Sequence, residues 1–280
     1  MPFAFEVGRL LGIRIRIHAL FVALILLIWV TQSTGRGAWS GVVLLVYMTL
    51  LFAFVLIHEL GHSLMAKRFG VQVVDITLWP LGGMARLRQV PETPKIEMAI
   101  AVAGPAVNMV LAAVGLAVAH FGQMLPDQAL LDPSTWFALG SLSWHSLLAF
   151  CIGVNLVMGT FNLIPAFPLD GGRVLRAVLG WRFDFLRSTI LAAQIGRLIA
   201  TVLFLGAVWL KMLGTDLPVL GFLLIAVFVH IAGRQEELAV RIRKQRESEQ
   251  TELSTPRPAE PPRLSREEYQ KALDRLPEDE

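Results

Sequence analysis

Leu51-Phe52-Ala53-Phe54-Val55-Leu56-Ile57-His58-Glu59-Leu60-Gly61-His62 sets two histidines and a glutamate at the end of a stretch suited to hydrocarbon. Positions 37–58 contain no Asp, Glu, Lys or Arg. That is long enough for the roughly 20 apolar residues a membrane-spanning helix needs. On such a helix His58 and His62, at i and i+4, lie on one face and can reach one metal ion. Glu59 stands beside them, free to take a proton from an attacking water without itself ligating. His-Glu-x-x-His alone is a match of middling specificity, and three packed polar side chains are the competing reading. The apolar setting favours chemistry, because ionisable groups at membrane depth demand partners.

The rest of the chain fits this setting. Of its 280 residues 55% are hydrophobic and 17% charged, with a mean hydropathy of +0.59. A soluble domain carries about a quarter charged residues. Further uncharged runs occupy 17–35, 98–126, 133–169 and 217–233. The first starts late and has no small-x-small cleavage site after it, so it reads as a span rather than a signal peptide. Six hydrophobic helices are expected, at about 18–34, 41–66, 95–121, 144–166, 188–210 and 217–233. The fold class is therefore an all-α polytopic membrane protein. Residues 71–90 differ: Val71, Val73, Ile76 and Leu78 favour strand, and Trp79-Pro80-Leu81-Gly82-Gly83 supplies a turn. They predict a short membrane-associated β-hairpin after the second helix.

The basic residues test this count. With six spans, 23 of the 25 Lys and Arg fall on one side, and only Arg36 and Lys211 on the other. The positive-inside rule makes the rich side cytoplasmic, with both termini there. The same placement explains a net charge of +3 without nucleic acid as a partner. Arg197 interrupts the fifth span. An interfacial, snorkelling side chain is favoured over a charge facing the bundle interior. The single cysteine, Cys151, excludes an intrachain disulfide and a cysteine-built zinc site.

Two regions follow from this: a membrane domain over 1–235 and a charged, partly disordered cytoplasmic tail over 236–280. Within the tail, Ser265 and Glu268 make a capping-box pattern, and 265–276 reads as a short amphipathic helix. It can dock on a cytoplasmic partner or on the membrane face, or stay free in solvent.

A catalytic zinc needs a third protein ligand and an open fourth position. Glu92 and Glu97 have plausible spacing but sit at a helix start, where solvation explains them. Asp170 is the stronger candidate. It ends a 37-residue uncharged run, where Pro165 and Pro168 break the helix and Gly171-Gly172 permit close approach. Capping of a following helix is the alternative. Asn162 can hold the substrate carbonyl or make a helix–helix hydrogen bond. For Asn108, after Gly104-Pro105, packing is favoured. His18, His120, His145 and His230 are isolated and are not assigned to a metal.

Taken together, Phe54–Ser63 with its two histidines, Gly104-Pro105-x-x-Asn108 and Asn162-x-x-Pro165-x-x-Pro168-x-Asp170-Gly171 resemble the site-2 protease family of intramembrane zinc metalloproteases. Gly12-Ile13-Arg14-Ile15-Arg16-Ile17-His18 looks like the six-helix branch. The resemblance covers about 5–235. It implies one Zn²⁺ held by His58, His62 and Asp170, with Glu59 as catalytic acid/base and Asn162 as a substrate-positioning residue. The implied substrate is the transmembrane segment of another protein, cut in regulated intramembrane proteolysis. The implied setting is a prokaryotic plasma membrane. The tail is too short for a CBS pair and no insertion would hold a PDZ domain, so control through such domains is not expected. The rival reading is a non-hydrolytic membrane transporter or metal-binding scaffold. Against it, no inverted repeat of broken helices is visible, and Glu59 is surplus to ligation.

Overall fold

The structure is a computed structural model that describes residues 3–36, 38–80, 82–88, 92–125, 133–136, 142–215, 219–254, 266 and 270–271. Its elements are β1 (Ala4–Leu10), β2 (Ile13–His18), α1 (Ala19–Arg36), α2 (Ala38–Arg68), β3 (Val73–Trp79), β4 (Gly82–Leu87), α3 (Pro94–Phe121), α4 (Pro133–Trp136), α5 (Trp144–Asn162), α6 (Asp170–Leu179), α7 (Phe185–Met212) and α8 (Val219–Ser254). Among the described residues five helices, α2, α3, α5, α7 and α8, are long and apolar enough to cross a membrane, and α1 carries a shorter apolar stretch over Ala19–Thr34. The polytopic helical fold expected from the uncharged runs is thus the one formed.

The hairpin expected at 71–90 is present as β3 and β4, but it is half of a larger sheet. Four strands run in the order β1-β2-β3-β4. The β2–β3 pairing is parallel, with Arg14 opposite Asp75 and Ile17 opposite Leu78. The other two pairings are antiparallel. Alternation explains β2: Ile13 and Ile15 turn inward onto Leu60 of α2 and Ile76 of β3. Leu11 and Gly12, both at positive φ, make the two-residue turn into β2. Lys67 at the end of α2 donates to the Leu11 carbonyl at 2.9 Å. Asp75, buried on β3, is bound by Arg86 of β4 and lies 3.6 Å from Arg16 of β2. β1 and β4 are the edges, and β4 lies against α2.

α2, α3 and α5 form the centre. Val43 and Tyr47 on α2 pack against Phe150 and Val154 on α5. Gly61 lets α2 meet α3 closely: a Cβ there would stand 2.8 Å from the Ala103 carbonyl oxygen.

One expectation is corrected. The last helix does not stop near 233 but continues to Ser254. Opposite charges one turn apart stabilise a solvated helix, and Arg243 and Lys244 both lie beside Glu247. Arg197 is partly buried and lies 3.7 Å from Glu237 of α8. Most of 265–276 lies outside the described residues. Contacts divide the chain into Met1–Leu238 and Ala239–Glu280.

Candidate metal centre and active site

α2 carries His58 and His62 on one face, and α6 brings Asp170 to them from 108 residues further along the chain. α5 ends at Asn162, and Asp170 opens α6 after a turn containing Pro165 and the cis Phe167–Pro168 bond. The residue capping α6 is Leu169, not Asp170. The Asp170 side chain faces the histidines instead: its Oδ2 lies 3.1 Å from His58 Nε2 and 3.0 Å from His62 Nε2. The two Nε2 atoms are 3.1 Å apart. All three residues are buried. Among the described residues, this is the one group of three or more His, Cys, Asp or Glu side chains placed to share a metal ion.

The hydrogen bonds behind the histidines decide what these atoms can be. His62 Nδ1 is 2.7 Å from the Ile100 carbonyl oxygen, which can only accept, so Nδ1 carries a proton and in the neutral ring Nε2 keeps its lone pair. His58 Nδ1 is 2.6 Å from Asn108 Oδ1. Asn108 Nδ2 donates to Asn155 Oδ1, and Asn155 Nδ2 donates to the Cys151 carbonyl, each at 2.8 Å. That chain ends on a carbonyl oxygen, which sets its direction and leaves His58 Nε2 with a lone pair as well. With both rings neutral, two imidazole lone pairs and a carboxylate oxygen converge within 3.1 Å of one another. A cation satisfies such a set, and two nitrogens with one oxygen suit zinc. Gly104 on α3 makes room, since a Cβ there would run into both imidazole rings.

Glu59 stands outside the donor set and accepts the Ala85 N–H of β4 at 3.1 Å on Oε2. A cavity of about 650 Å³ joins Glu59, the three candidate ligands, Asn162, Arg173, the inner part of β4 and Phe228. Asn162 lies on its wall, with Nδ2 donating to the Met158 carbonyl of its own helix at 3.0 Å.

Glu97 is not at the centre. It is buried under Arg176, whose Nε donates to Oε1 at 2.7 Å and which also reaches Glu236 of α8. Glu92 lines a separate small cavity with that pair. His18 stacks on Trp79, with ring centroids 4.1 Å apart, and His230 bonds within α8. Asn108, read as a packing residue, turns out to orient a candidate ligand. Asn155 belongs to none of the motifs, and its one signal in the sequence is an amide inside an uncharged run. Arg173 carries no motif signal in the sequence, where it counts only among the basic residues of the Lys/Arg-rich side.

Comparison with known proteins bears on this geometry. Residues 46–205 match the model of peptidase family M50. Zinc metalloprotease MJ0392 of Methanocaldococcus jannaschii is 32% identical over 86% of this chain and 63% of its own length. The protein Rip3 of Mycobacterium tuberculosis is 34% identical over 85% of this chain and 59% of its own. The chain thus spans about three fifths of these relatives. The solved structure of a site-2 protease from Methanocaldococcus jannaschii superposes with a TM-score of 0.54 at 32% identity, covering 84% of this chain and 95% of that one. The matched segment contains His58, Glu59, His62 and Asp170, and by it the chain belongs to peptidase family M50, the site-2 protease family.

Proposed function

We propose that this chain is an intramembrane zinc endopeptidase that hydrolyses a peptide bond in or near the transmembrane segment of another membrane protein, in regulated intramembrane proteolysis. The observation that carries this is the convergence of three possible metal-ligand atoms, from His58, His62 and Asp170, beside a glutamate that is not one of them.

His58, His62 and Asp170 hold the ion. Zinc bound there supplies Lewis acidity to the scissile carbonyl and makes water more acidic. Glu59 takes the proton of the attacking water and returns it to the leaving amine. Asn162 orients the substrate carbonyl from the cavity wall. The free edge of β4 takes the unwound substrate segment as an added strand. Ala85 N–H points to that edge and is held by Glu59. A substrate carbonyl accepting this N–H would free the Glu59 carboxylate as the substrate docks.

The membrane domain over 1–235 carries this chemistry, and the tail over 236–280 takes a cytoplasmic partner. Both termini face the cytoplasm of a prokaryotic cell. The segregated basic residues support this, as does the β2–β3 pairing, which joins the N-terminal segment to the α2–α3 connection. The test is reconstitution of the full chain in lipid vesicles with single-span candidate substrates. One zinc per chain and a cut mapped in or beside the span are expected. Asp170→Ala should lose both the zinc and the cleavage. Full zinc in that variant would contradict the ligand set.

A further inference from the structure

Arg173 lines the catalytic cavity and, among the described residues, is the only Lys or Arg side chain that does. It sits three residues after Asp170 on α6, a spacing that puts both on one side of the helix. It is half-buried, and among the described residues it has no hydrogen-bond or ion-pair partner. The arginines around it are used differently. Arg176 is held by Glu97 and Glu236, Arg86 by Asp75, and Arg197 lies against Glu237. Two carboxylates share the cavity with Arg173, yet neither pairs with it: Asp170 faces the histidines and Glu59 faces the Ala85 N–H.

Its backbone is firmly placed. Gly171 and Gly172 lie so close to the 163–167 backbone that neither has room for a Cβ. Arg176, one turn on, is buried in its ion pair. An unpaired guanidinium on a fixed helix beside the candidate ligands is a donor available where negative charge develops in a reaction.

We infer that Arg173 is a catalytic residue of this site, donating hydrogen bonds to the charge that develops on the scissile carbonyl oxygen. The inference rests on the proteolytic reading above. As water adds to the carbonyl carbon, a C–O bond forms, the water proton goes to Glu59, and the carbonyl π pair moves onto oxygen. Arg173 stabilises that oxygen and keeps its own protons. When the C–N bond breaks, the pair returns to re-form the carbonyl, and the proton on Glu59 goes to the departing nitrogen. Asn162 has one of its N–H groups committed to Met158 and offers fewer donors than a guanidinium.

The test uses the zinc-loaded full chain in vesicles and a single-span reporter that the unsubstituted protein cleaves. Removing one such donor lowers kcat by about 100-fold or more. Arg173→Gln should show that loss with KM and zinc content unchanged. Arg173→Lys should retain part of the rate, and added guanidinium ion should restore part of the activity of Arg173→Ala. A phosphinic peptide, which mimics the tetrahedral anion, should bind Arg173→Gln more weakly, while an uncleaved amide peptide binds as before. An unchanged kcat, a rise in KM alone, or loss of zinc would overturn the inference. If the unsubstituted chain cleaves no reporter, the proteolytic reading itself fails.

Discussion

His58 donates its Nδ1 proton to Asn108 Oδ1 at 2.6 Å, across the α2–α3 interface. Through Asn155 the same chain of bonds ends on the Cys151 carbonyl of α5. Three helices thus fix the tautomer and rotation of one imidazole. Partners of this kind are typically worth about 10- to 100-fold in metal affinity.

Asn108→Ala should therefore weaken zinc binding by about that factor, read by competition with a chelator of known affinity. Asn155→Ala should act in the same direction but less strongly, because it only orients Asn108. Unchanged affinity in Asn108→Ala would mean that the His62, Asp170 and His58 donors hold their positions without it.

Gly83 faces the proposed base. A Cβ there would stand 2.5 Å from Glu59 Cγ. Gly83→Ala should push the carboxylate out of place, lowering kcat by up to about 100-fold, as misplacement of a reacting group by about 1 Å can. Zinc content should stay at the wild-type level. Steady-state kinetics with metal analysis on the same preparation check both.

The sheet should respond to acid through Asp75. The Arg86 guanidinium hydrogen-bonded to Asp75 holds its carboxyl below the usual carboxylate range, against the opposing effect of burial, and Arg16 adds to the lowering. A group depressed on folding contributes stability above its unfolded pKa, about 3.9 for Asp. That contribution is lost as pH falls through the lower folded value. Hydrogen exchange of the β2–β4 amides should accelerate across that acid window. Asp75→Asn should exchange faster at neutral pH and show no such acid step.

Much of this arrangement is readable along the chain, and the remainder has identifiable physical causes. Long uncharged runs disclose spans because hydrocarbon tolerates nothing else. The helical period brings His58 and His62 together without tertiary information. Asp170 stands out as a carboxylate at the end of a proline-broken helix. β2 is different. Its alternation of Ile13, Ile15 and Ile17 with Arg14 and Arg16 is a strand pattern, but its parallel partner lies about 60 residues away across two helices. Nothing local specifies that pairing. Asn108 and Asn155 are equally opaque: whether a buried amide meets a ligand or a neighbouring helix depends on helix rotation, which short motifs do not encode. In α8 the charge content that suggested a solvated tail also supplies the i, i+3 and i, i+4 pairs that extend the helix.

Hydrolysis at this site turns on the Glu59 carboxylate. Glu59→Gln preserves size and keeps a hydrogen-bonding oxygen for the Ala85 N–H, but removes the group that accepts and returns the proton. The decisive measurement is the cleavage rate of a reconstituted single-span substrate by Glu59→Gln, with zinc measured on the same sample. Full zinc occupancy and no detectable cut are expected. Cleavage at the wild-type rate with zinc in place would contradict this.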